Sequence, residues 1–114
     1  MKNAYTPFVQ RMIEALEDKK AVDIQVLDVR EIVSYTDFLV VCSGSSSTQV
    51  NALVDHVSKV FRGKEGPTYQ NRSKDNSWWT LDFVDVVLHV FREDLRGYYD
   101  LERLWSDAKN VPVR

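Results

Sequence analysis

Sulfur ligands, imidazoles, excess positive charge and long apolar runs are all scarce in this chain. Cys42 is its only cysteine, which excludes an intramolecular disulfide and any cluster of thiolate metal ligands. Such usage fits a reducing compartment. The opening MKNAYTPFVQRMIEAL lacks the apolar core of a secretory signal. No run approaches the roughly 20 apolar residues of a membrane-spanning helix. A cytoplasmic protein without membrane attachment is therefore expected. Two histidines, His56 and His89, stand in no HxxxH or HxxE pattern, and the chain offers too few ligands beside them for a metal site. Positive charge is not in excess: 15 Lys and Arg stand against 17 Asp and Glu, for a net charge of -2. A protein that grips duplex nucleic acid, or reads its sequence directly, needs a basic patch. An acidic domain suits a basic protein partner instead.

The 114 residues are 44% hydrophobic and 28% charged, ordinary values for one globular domain spanning 1–114 with a core of its own. Thr6-Pro7 opens a helix, with Thr as N-cap and Pro at the first helical position. Phe8, Val9, Met12, Ile13 and Leu16 recur at helical spacing, and Asp18-Lys19-Lys20 ends the segment. Asp23 to Val29 reads as a strand. Asp37 to Ser43 reads as a second, continuously apolar from Phe38 to Cys42, as in a central strand covered on both faces. The connection Arg30–Thr36 is short for a parallel crossover, so the two strands are expected to run antiparallel. After Gly44, Ser46 and Gln49 have capping-box spacing, and Val50, Leu53, Val54, Val57 and Phe61 form one helical face. Gly63 and Gly66-Pro67 stop that helix. Thr68 to Ser77 is polar and loop-like. Trp78–Asp82 and Val86–Phe91 follow as strands, and Tyr98, Leu101, Leu104 and Trp105 suggest a closing helix. The order α-β-β-α-β-β-α predicts an α/β (α+β) mixed-sheet sandwich.

Catalytic signals are weak. CSGSSSTQV places a Gly-Ser turn between strand and helix, where free amides bind anions. A nucleotidyltransferase would also need clustered carboxylates to hold metal ions. Asp82 and Asp85 are spaced by three, which does not put both on one face of a regular strand. No Walker lysine follows. A capped helix start is the simpler reading of the turn. His89, inside an apolar strand, reads as a hydrogen-bonded semi-buried histidine, and Cys42 as a small buried hydrophobe. A binding module is favoured over an enzyme. In the strand Trp78–Asp82, alternation puts Trp78, Thr80 and Asp82 on one face and Trp79 and Leu81 on the other. The wholly apolar pair should meet the core. Trp78 should then face solvent or a partner, where tryptophan is a common anchor.

Several segments, taken in order, resemble the Iojap family, that of the bacterial ribosomal silencing factor S. They are Asp23-Ile24 through Asp28-Val29; Thr36-Asp37-Phe38; Cys42-Ser43-Gly44-Ser45-Ser46-Ser47 with Gln49-Val50; Trp78 through Asp82; Asp85-Val86-Val87-Leu88-His89-Val90-Phe91; and Tyr99-Asp100-Leu101-Glu102-Arg103-Leu104-Trp105. The resemblance implies a fold related to nucleotidyltransferases but without their catalytic carboxylates, and so neither enzyme activity nor cofactor. It implies binding to the large ribosomal subunit through a ribosomal protein at the subunit interface, the fourteenth in the usual naming. Subunit joining would then be blocked sterically. It also implies self-association as a homodimer. The partner-binding residues it points to are Trp78, Thr80, Asp82, Phe83 and Asp85, the carboxylates pairing with basic groups. Alternatives are a nucleotide-handling enzyme using Gly44-Ser45-Ser46 and a generic dimerising scaffold. Two departures stand out. Val84 occupies a position where the family usually has glycine, so a different turn is expected there. Thr68–Ser77 replaces a Gly-rich, Glu-containing segment.

Overall fold

The computed structural model describes residues 7–34, 36–74, 77–94 and the backbone of 109–111. Helix α1 (Pro7–Asp18) buries Val9, Met12, Ile13, Ala15 and Leu16, the stripe its periodicity predicts. It ends in a Schellman motif. The Lys20 N–H donates to the Glu17 carbonyl at 3.0 Å, and the Ala21 N–H to the Leu16 carbonyl at 3.0 Å. Lys20 holds the left-handed position at φ 59 that glycine usually takes.

Strand β1 (Val22–Asp28) pairs antiparallel with β2 (Phe38–Gly44), as the short connection predicts. A bulge between Val22 and Gln25, with Asp23 at φ 51, sets the register. All of β2 is buried, the central position its continuous apolar run implies. Helix α2 (Ser47–Val60) follows, buried through Val50, Leu53, Val54 and Val57, and a single 3-10 turn covers Gly63–Glu65. Strands β3 (Tyr69–Arg72), β4 (Trp78–Asp82) and β5 (Val86–Arg92) form an antiparallel meander. Strand β5 then lies parallel to β2, with Phe38 opposite Val86. Strand β6 (Lys109–Val111) pairs antiparallel with β1. The sheet runs β3-β4-β5-β2-β1-β6.

Both helices cover one face. Val26, Phe38, Val40, Cys42, Leu81, Val86, Leu88 and Val90 from the strands join the α1 and α2 stripes in the main core. On the opposite face Leu27, Val29, Leu39 and Val87 form a smaller cluster with Val33 against it.

Two strands depart from the expected order. Residues 69–72, read as loop, form edge strand β3. All four are exposed, so no apolar alternation marks them and only backbone pairing makes the strand. The Arg72 N–H is taken by the Asn71 side-chain oxygen at 3.0 Å, which blunts this edge against further pairing. Strand β6 was not anticipated, being only three residues long. The Thr6 cap and the Tyr98–Trp105 helix lie outside the described residues.

Candidate partner-binding surface

Strand β4 divides its side chains as alternation requires. Trp78, Thr80 and Asp82 sit opposite Phe91, His89 and Val87, while Trp79 and Leu81 sit opposite Val90 and Leu88. The two tryptophans do point to opposite faces. Both are half-buried: Trp79 packs against the main core, as expected, and Trp78 keeps part of its surface exposed.

The Trp78 ring stacks on Phe91 at 4.9 Å between centroids. Its indole N–H donates to His89 Nδ1 at 3.2 Å, and Thr80 Oγ1 lies 3.4 Å from the same nitrogen. An indole N–H is only a donor, so Nδ1 must carry a lone pair and the His89 proton sits on Nε2. Burial pulls this imidazole down to about 4, because charging it in a poorly solvated site is costly. The semi-buried, hydrogen-bonded His89 of the sequence reading is what the structure contains.

Trp79 packs against the rim of the main core. Its indole N–H donates to Asn51 Oδ1 at 3.2 Å, and the Arg72 guanidinium lies 5.7 Å from its ring centroid. Strand β4 thus leans on α2 through a hydrogen bond as well as apolar contact. A groove of about 550 Å³ runs between α2 and the β3–β4 edge here, with Asn51, Asp55, Gln70, Arg72 and Trp79 among its walls.

The β4–β5 turn carries the remaining candidates. The Phe83 N–H donates to the Val86 carbonyl at 2.8 Å, and the Asp85 N–H to the Phe83 carbonyl at 3.0 Å. This second bond closes a γ-turn around Val84, which stands at φ 78. The backbone at Val84 takes a conformation that suits glycine, and the branched side chain accepts the strain. The Asp82 carboxylate holds the turn by accepting the Val84 N–H at 2.8 Å. Phe83 swings to the helix-side face, with ring centroids 5.4 Å from Phe8 and 5.7 Å from Phe61. Asp85 is exposed, and its carbonyl accepts the Asp37 and Phe38 N–H groups at 3.0 and 3.1 Å.

The five candidates therefore do not share one plane. Trp78 and Thr80 gather around His89, Asp82 braces the turn, Phe83 belongs to the helix-side aromatic cluster, and Asp85 sits at the tip. Sequence reasoning missed the neighbours that other segments bring in: Phe8 from α1, Asp37 from the start of β2, and Asn51 and Arg72 around Trp79. Only Asp37 had a signal, as part of Thr36-Asp37-Phe38.

The Gly-Ser turn is occupied by the chain's own groups. Ser46 Oγ accepts the Gln49 N–H at 3.2 Å, as its spacing predicts. The Gln49 side-chain oxygen takes the Ser45 N–H at 2.7 Å and the Ser45 hydroxyl at 2.8 Å. Its amide donates to the Lys19 and Lys20 carbonyls at 3.1 and 3.0 Å. A Cβ on Gly44 would come within 2.9 Å of the Val50 backbone nitrogen, so close packing of strand on helix requires this glycine. The turn is a helix start tied to the end of α1. Cys42 beneath it is fully buried. No group of three potential metal ligands gathers among the described residues, and no helix among them is long and apolar enough to cross a membrane.

Comparison with known proteins places these features in a family. The family model described as "Ribosomal silencing factor during starvation" matches residues 2–114. The chain is 36% identical over 106 residues to Ribosomal silencing factor RsfS of Halalkalibacterium halodurans, covering 92% of this chain and 91% of that protein. It is 33% identical over 106 residues to the chloroplastic protein Iojap of Zea mays, covering 93% of this chain and 46% of the plant protein. A crystal structure of a Chromobacterium violaceum protein superposes with a TM-score of 0.80 at 35% identity, covering 90% of this chain and 86% of that one.

Proposed function

Because the chain belongs to the ribosomal silencing factor family, we propose that it is a translational repressor that binds the large ribosomal subunit and blocks joining of the small one. The observation that carries this reading is the family match along residues 2–114, rather than a local motif. The proposed docking point is the fourteenth large-subunit protein, at the face where the small subunit arrives. The proposed contact residues are Trp78, Thr80, Asp82, Phe83 and Asp85. The mechanism is steric: a small domain seated on a docking surface excludes a second body without chemistry. It acts in the cytoplasm, and self-association as a homodimer belongs to the same proposal.

The geometry supports a binding role at the β4–β5 turn. Val84 is 55% exposed and is flanked by Asp82 and Asp85, giving an apolar tip between carboxylates suited to a basic surface. The test is light scattering of purified bacterial subunits. Large subunits preincubated with saturating protein should fail to scatter as joined ribosomes when small subunits are added. Joining that proceeds undiminished would refute the function. Trp78→Ala is expected to weaken the block at least tenfold; a folded variant that blocks fully would remove Trp78 from the contact.

A further inference from the structure

A pocket of about 300 Å³ opens between α1 and the β4–β5 turn, lined by Pro7, Phe8, Asp37, Phe38, Phe83, Asp85 and Val86. Three phenylalanines and a valine make an apolar floor. Two exposed carboxylates stand at it, brought together because the Asp37 N–H bonds the Asp85 carbonyl at 3.0 Å. Arg30, the cation among the described residues that attracts Asp37, is committed elsewhere. Arg30 makes a two-point contact with Asp28, at 2.9 and 2.6 Å, and only attracts Asp37 at longer range. That guanidinium also lies 5.3 Å from the Phe38 ring centroid, so a ring of this pocket already accepts a cation in the protein itself.

We infer that this pocket receives one lysine or arginine side chain of the protein partner, its alkyl stem on Phe8, Phe38 and Phe83 and its charged head between Asp37 and Asp85. The inference rests on the ribosome-binding reading and gives its contact surface a centre. The charge pattern selects this occupant. Phosphate is repelled by two carboxylates, which disfavours RNA. A bare metal ion gains nothing from an aromatic floor. A long side chain with an apolar stem and a cationic head satisfies both halves, and aromatic rings add cation–π attraction. Asp37 and Phe8 thereby join the contact, beyond the five residues on β4 and its turn.

Co-sedimentation with purified bacterial large subunits tests the pocket, run beside the joining measurement. Asp37→Asn/Asp85→Asn should bind at least tenfold more weakly and show a shallower salt dependence, while its thermal melt stays near that of the parent. Asp18→Asn, at the end of α1 away from the pocket, should bind as the parent does. If the parent binds and blocks joining but the double variant binds equally well, the pocket inference fails while the function stands. If the parent itself neither binds nor blocks, the function fails first. A double variant that loses self-association but not ribosome binding would assign the pocket to a second copy of the chain and overturn the inference.

Discussion

Val84 holds a φ of 78 that its branched side chain resists, a strain on the order of 1–3 kcal/mol. Glycine relieves it and costs roughly 0.5–1 kcal/mol in backbone entropy. Val84→Gly is therefore expected to stabilise the protein by about 1 kcal/mol, read as a higher urea midpoint at unchanged slope. His89 gives a pH dependence of defined sign. Its imidazole lies near 4 in the folded protein, against 6.5 in a free side chain. Between those values the unfolded chain binds a proton at this site and the folded protein does not, so acidification favours unfolding. The contribution is fully present above about pH 6.5 and lost as pH falls toward 4. Allowing for its partly exposed position, the loss is on the order of 2 kcal/mol. Melts of the parent should lose midpoint across that window more steeply than those of His89→Gln. At this scale the sequence was informative about type and less so about degree. Alternation sorted Trp78 from Trp79 correctly. It could not reveal that Asn51 and His89 each hold an indole N–H, because those partners lie on other segments. Valine at position 84 gives no local sign of a positive φ, because the hydrogen bonds of Asp82, Phe83 and Asp85 are what hold the backbone there.

Elements with an apolar period were readable, and those without one were not. Helix α2 announced itself by Ser46, Gln49 and a stripe of valines and leucine, and β2 by an unbroken apolar run. Strand β3 has no buried side chain, so its existence depends on the neighbour β4 and no local pattern reports it. Gln49 shows how an element can depend on another at a distance. Its side chain joins the start of α2 to the end of α1 through Ser45, Lys19 and Lys20. Gln49→Ala removes four hydrogen bonds at a partly exposed site, where water replaces part of each. The expected cost is about 1–2 kcal/mol, measurable by denaturant titration. Val84→Gly and Gln49→Ala lie on separate segments with no shared partner, so their effects should add.

For the molecule as a whole, the sheet has a stable middle and weak margins. Strands β2 and β5 are buried nearly throughout, while β3 is exposed along its length. Native-state hydrogen exchange should be slowest at the β2 and β5 amides and should approach the global unfolding free energy there, with β3 exchanging through local opening. An antiparallel β1–β2 pair and two helices could be anticipated from composition and spacing. The family resemblance rather than the physics pointed to a partner. What brings the surface together is long-range: Asp37 meets Asp85, and Phe8 meets Phe83, only after distant segments have paired. The parallel register of Phe38 with Val86 has a consequence for biogenesis. During synthesis, β2 is complete long before β5 exists, so a strand buried along its whole length waits without its central neighbour. A nascent protein of this design cannot close its sheet until β5 has left the exit tunnel. Folding is thereby delayed, over a period in which β2 needs shelter from aggregation.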